Sequence, residues 1–110
     1  MESILLLYGG MGLLVALLSW PMMYDKIPPN RFYGFRTPRT LSDPNVWYPA
    51  NRVAGRNLVV AGVIVCLTAL VLYAIRNTIT PRAASRVLLT ISLVALLGAV
   101  VHSFIALRRI

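Results

Sequence analysis

Acidic residues are almost missing from this sequence: Glu2, Asp25 and Asp43 are the only three carboxylates among 110 residues. Cysteine and histidine are scarcer still, with Cys66 and His102 each standing alone. A single cysteine in an apolar run excludes a disulfide framework and a thiolate metal site, and leaves a small apolar residue. A single histidine has no partners for zinc or haem. No nucleophile and base can be paired from this set, so an enzyme is the poorest reading, and neither cofactor nor metal is expected.

Long uncharged runs, by contrast, are abundant. Ile4 to Trp20, Leu58 to Ile75 and Val87 to Leu107 contain no Asp, Glu, Lys or Arg. With 58% hydrophobic residues and a mean hydropathy of +0.74, the chain lies outside the range of soluble domains. A helix rises about 1.5 Å per residue and needs roughly 20 residues to cross the hydrocarbon core. The runs therefore predict an all-α, polytopic membrane protein, a single bundle of three transmembrane helices at about 3–23, 57–75 and 87–107. The first run opens on Glu2 instead of a basic segment and ends in Trp20-Pro21-Met22-Met23, with no small-residue cleavage site. It reads as a retained anchor.

Eleven Lys and Arg against three acids give a formal charge of +8. No soluble module exists to present these cations to a nucleic acid, so direct nucleic-acid binding is not expected. Their distribution carries topology instead. Six lie between the first and second spans (Lys26, Arg31, Arg36, Arg39, Arg52, Arg56), three between the second and third (Arg76, Arg82, Arg86) and two after the third (Arg108, Arg109). The first connection and the C-terminus thus outweigh the rest by eight to three, which predicts that both are cytoplasmic and the N-terminus outside. Part of this charge is available to anionic headgroups, at about 1 kcal/mol per cation near the surface.

The first connection, about residues 24–56, is rich in proline and arginine and holds a Trp-Tyr pair. It predicts an ordered loop, since long connections are functional or disordered and disordered ones lack aromatics. Pro28-Pro29 ends the first helix by about Lys26. Gly34 supplies either a positive φ or a bare surface for close approach, and Thr37-Pro38 forces extension. Ser42-Asp43-Pro44 starts an interfacial helix, with Asp43 as N-cap and Pro44 at its first position. That helix runs into the second span, interrupted and kinked at Pro49. Trp47, Asn51 and Gly55 recur on it at four-residue steps beside Arg52, forming one polar-aromatic face. Arg36, between Gly34 and Pro38, is expected at the centre of a motif site assisted by Asn30, Thr37, Thr40, Trp47, Asn51 and Arg52, either tying the loop to the second helix or contacting a ligand or partner directly. Its five donors suit loop carbonyls, a carboxylate or another anionic group.

Small residues line one face of each span: Gly9, Gly12, Ala16 and Ser19; Gly55, Gly62 and Cys66; Ser92, Ala95, Ala99, Ser103 and Ala106. Such faces serve packing within the bundle or homo-oligomerisation. His102 is a possible intramembrane polar site. Trp20, Tyr24, Trp47, Tyr48 and Tyr73 have the character of interfacial anchors.

Pro29-Asn30, Gly34, Arg36-Thr37-Pro38, Thr40-Leu41, Val46-Trp47, Asn51-Arg52 and Gly55 resemble the signature loop of the SdpI family of small bacterial membrane proteins. The resemblance implies a three-helix unit in the bacterial inner membrane. It also implies immunity to a membrane-active peptide toxin, or membrane signalling in which the loop draws a transcriptional repressor. The family's immunity protein is longer, with a further membrane-embedded half, and Arg39 stands where similar sequences carry an aromatic residue. Three classes of function stay open: immunity or signalling, a small oligomeric transporter or channel, and a structural protein that clamps lipid headgroups.

Overall fold

The computed structural model describes all 110 residues, and helices are its only regular elements. Helix α1 (Glu2–Ser19) continues into a 3-10 turn (Trp20–Tyr24). After the loop come α2 (Pro38–Ser42), α3 (Pro44–Ala74) and α4 (Pro81–Arg108). The first segment, α3 and α4 are each long and apolar enough to span a membrane.

Proline and a short polar side chain start each later helix. Thr80 caps α4 through the Ala83 N–H, with Pro81 at the first position, where a missing N–H costs nothing. The helix therefore begins six residues before the predicted span at 87, because hydropathy registers where lipid begins and not where the backbone coils. Asp43 caps α3 by accepting from the Asn45 N–H, with Pro44 next. A single helix of 31 residues then runs through Pro49 and the whole second span. The helix continues through Pro49 without a break, although the proline removes one backbone donor there.

Helix α3 is the hub. Helices α1 and α4 both pack on it and share no comparable interface with each other. The predicted small-residue faces make these contacts. Gly12 and Gly62 bring the backbones of α1 and α3 together, so that a Cβ on Gly12 would lie 2.6 Å from the Gly62 carbonyl oxygen. On α4, Ala99 and Ser103 are buried, while Gly98 faces open space. At the end of the molecule away from the motif loop, Leu5, Ala69, Leu72, Ala84 and Leu88 form a buried cluster. Most other large apolar side chains on the spans point outward, as a lipid-solvated bundle requires.

Candidate functional site

The loop is built on the first two turns of α3. Trp47 is fully buried, and its indole Nε1–H donates to the Ile27 carbonyl at 2.8 Å. This overturns its expected place among the interfacial anchors; Trp20, Tyr24 and Tyr73 are exposed as expected, and Tyr48 is half-buried. One turn on, Asn51 accepts from the Phe35 N–H at 2.7 Å and donates to the Trp47 carbonyl at 2.9 Å. Gly34 lies against both. Its φ of +114° requires glycine, and an added Cβ would sit 2.8 Å from Asn51 Oδ1 and 3.1 Å from the Trp47 ring. Both roles proposed for Gly34 are therefore real at once.

Thr40 closes the next turn. Wholly buried, its hydroxyl donates to the Phe35 carbonyl at 2.9 Å and accepts from the Thr37 N–H at 2.8 Å. Thr37 accepts from the Thr40 N–H at 3.1 Å, a reciprocal capping box that starts α2. Extension ends at Thr37, and Pro38 opens a helix that the sequence alone did not suggest. The box there is Thr-x-x-Thr, without the Glu or Gln that usually signals it.

Arg36 lies outside this buried junction. Its side chain is exposed, with Nε donating to the Asn30 carbonyl at 2.8 Å. Asn30 folds the preceding turn: Oδ1 accepts from the Phe32 and Tyr33 N–H groups at 2.8 and 2.7 Å, and Nδ2 donates to the Pro28 and Tyr33 carbonyls. Arg52 leaves the cluster to pair with Asp25 at 2.9 Å on the surface. Gly55 serves another contact altogether, its hydrogens facing Met22 Cβ and the Ser19 carbonyl at the end of α1. The structure thus gathers Gly34, Trp47, Asn51 and Thr40, and sets Arg36, Arg52 and Gly55 apart.

Two connections were not legible beforehand. Arg39 reaches across the fold, its Nη1 donating to the Leu107 carbonyl and its Nη2 to that of Ile110. A guanidinium there suits the carbonyls exposed at the negative dipole end of α4. Phe35 meets Phe104 edge to face, with ring centroids 5.1 Å apart. Loop and α4 are therefore tied at two points, 68 residues apart in sequence for Arg39 and Leu107.

Beneath the loop lies an apolar cleft of about 420 Å³ between α1 and α4. Ala54 and Leu58 of α3 form its floor, residues such as Leu18 and Val100 its walls, and Tyr33, Gly34 and Phe35 its roof. No charged side chain lines it. Burial at this roof pushes the Tyr33 phenol above its ordinary pKa. Behind α4's packing face, His102 Nδ1 lies 2.9 Å from Asn57 Nδ2, which also donates to Ser103 Oγ at 3.1 Å. His102 is thus a polar tie between α3 and α4, placed apart from the loop. No cluster of three or more His, Cys, Asp or Glu side chains is present that would hold a metal ion.

These features define a three-span helical membrane protein with an ordered loop locked onto the extended second helix and roofing an intramembrane cleft. The chain belongs to the SdpI/YfhL protein family, whose family model matches residues 26–108. No curated protein and no solved structure matches the chain.

Proposed function

We propose that this SdpI-family protein confers immunity to a membrane-active peptide by taking the peptide's apolar segment into the cleft between α1 and α4, and that the loop reports occupancy to a cytoplasmic partner. The observation that carries this reading is the position of the motif loop: Tyr33, Gly34 and Phe35 form the roof of the cleft. An apolar cleft reached from the bilayer suits a ligand already partitioned into lipid. Because α1 and α4 meet only through α3, an occupant can spread them without breaking a shared interface. The Phe35–Phe104 and Arg39 ties then carry that displacement into the loop. A channel has less support. Asn57, His102 and Ser103 form one local cluster, and a conduction path needs polar groups through the depth of the membrane.

The test is survival of sensitive cells exposed to membrane-active peptides with and without the protein. Val100→Trp fills the cleft from an exposed position, and Val94→Trp, outside the cleft and more exposed, is the control. Protection should be lost with Val100→Trp alone, at unchanged melting temperature. Equal protection by both variants, or none by the wild type, sinks the reading.

The same proposal requires the loop to face the cytoplasm, as the eight-to-three charge count implies. A cysteine at exposed Ser42, in a Cys66→Ala background, should resist an impermeant maleimide in intact cells and react after lysis. Labelling before lysis reverses the orientation.

A further inference from the structure

Phe32 is 92% exposed, more than any large apolar side chain on the spans, where Leu6 at 79% comes next. A phenylalanine held out of the fold in a cationic loop is not explained by the cleft or by the packing of α3. Its backbone is nevertheless fixed. Asn30 Oδ1 takes the N–H groups of Phe32 and Tyr33, and Arg36 Nε holds the Asn30 carbonyl from the other side. Asn30 and Arg36 therefore act as a mount that presents residues 31 and 32.

We propose that the Arg31–Phe32 tip is a wedge that inserts into the headgroup layer of an anionic phospholipid bilayer, with Arg31 and Arg36 on the lipid phosphates. Three observations support this partner over a soluble one. Tyr33, the next residue, lines the cleft where the spans begin, which puts Phe32 close to the level of the membrane surface. Half of the turn's backbone is already provided for: Pro28 and Pro29 carry no N–H and those of Phe32 and Tyr33 are bonded within the turn, while the N–H groups of Asn30 and Arg31 have no partner within the protein and are free to donate to lipid phosphate or water in the headgroup layer. Finally the charge is complementary. Lys26, Arg31 and Arg36 are exposed, the chain's one ion pair is Arg52 with Asp25, and the Nη groups of Arg36 make no hydrogen bond within the protein. An aromatic ring with flanking cations is the chemistry of an interfacial anchor on acidic lipid. The wedge stands whether or not the cleft takes a peptide.

The experiment places a single cysteine at position 32 in the full-length, Cys66→Ala protein, labels it with an environment-sensitive nitrobenzoxadiazole dye, and reconstitutes it into vesicles. Phe32 touches little, so Phe32→Cys should leave the melting temperature unchanged. In phosphatidylcholine with phosphatidylglycerol the emission should shift to the blue and be quenched by lipids spin-labelled near the headgroup. Arg31→Gln, which breaks no hydrogen bond, should lower the inserted population about fivefold, the equivalent of the ~1 kcal/mol a cation contributes beside an anionic surface. Water-like emission in anionic vesicles overturns the wedge and leaves the tip to a soluble partner. Equal insertion into pure phosphatidylcholine, insensitive to Arg31→Gln, overturns the phosphate contacts.

Discussion

Trp47→Ala should destabilise the detergent-solubilised protein by about 3–5 kcal/mol, the range for removing a buried aromatic side chain without collapse of its site. Collapse is blocked here. The ring is sealed between the loop and α3, a Cβ on Gly34 would come within 3.1 Å of it, and its neighbours Asn51 and Thr40 are held by their own hydrogen bonds. Trp47 precedes the predicted span at about 57, so its burial is from water and the full transfer energy applies. Trp47→Phe keeps most of the volume and loses the bond to the Ile27 carbonyl, and should cost only about 1 kcal/mol. Chemical denaturation with parallel limited proteolysis distinguishes the two. Trp47→Ala should also expose the loop to cleavage before the helices melt. Equal stability of the two variants would show that the ring is not what holds the loop to α3.

Gly62→Leu should separate α1 from α3. A Cβ on Gly62 would collide with the Gly12 carbonyl oxygen and lie 2.9 Å from the Ala16 nitrogen. These are backbone atoms, unable to rotate away as a side chain does, so the two helices must part along their contact. Overpacking costs about 1–3 kcal/mol where side chains can adjust, and more is expected where they cannot. Intrinsic preference pushes the other way, since leaving glycine favours a helix by up to about 1 kcal/mol. The clash is the larger effect. Gly10 is the internal control: nothing lies within 4 Å of its virtual Cβ, so Gly10→Leu should melt at or slightly above the wild type. In lipid, helix association depends on close packing and not on escape from water, so the difference should appear in thermal melting and in cross-linking of cysteines placed across α1 and α3. Identical behaviour of the two leucine variants would remove Gly12 and Gly62 from the crossing.

Within the loop, the sequence was most reliable where local chemistry decides. The Asp43-Pro44 start of α3 and the end of the first helical segment before Pro28 follow from which residues lack a donor or offer a cap. Gly34 was legible for a related reason, since a glycine two residues before an arginine-proline turn signals either φ above zero or crowding. Which polar residue packs was not legible. Arg36, expected at the centre by its flanks, lies on the exposed side of the loop, while Asn51, grouped with it as an assistant, carries the packed junction. Charge attracts attention in a sequence, but burial decides which polar group matters, and burial is a property of the assembled helices. Asn51 and Gly55 share a helical face, yet Gly55 meets the end of the first helical segment and Asn51 meets the loop, so they have different partners.

The sequence by itself determined that this is a three-span helical membrane protein with an ordered, cationic first loop, because uncharged run length, proline and capping positions act over a few residues at a time. Its small-residue faces also dictated close helix contact. Only the tertiary structure decided that α3 is the hub, that α1 and α4 leave a cleft between them, that Arg39 and Phe35 fasten the loop to α4, and that Phe32 stands free. These depend on pairs brought together from distant parts of the chain, up to 71 residues apart for Arg39 and Ile110. Local periodicity tells each residue which way it faces on its own helix; which neighbour it meets is set by where the other helices cross.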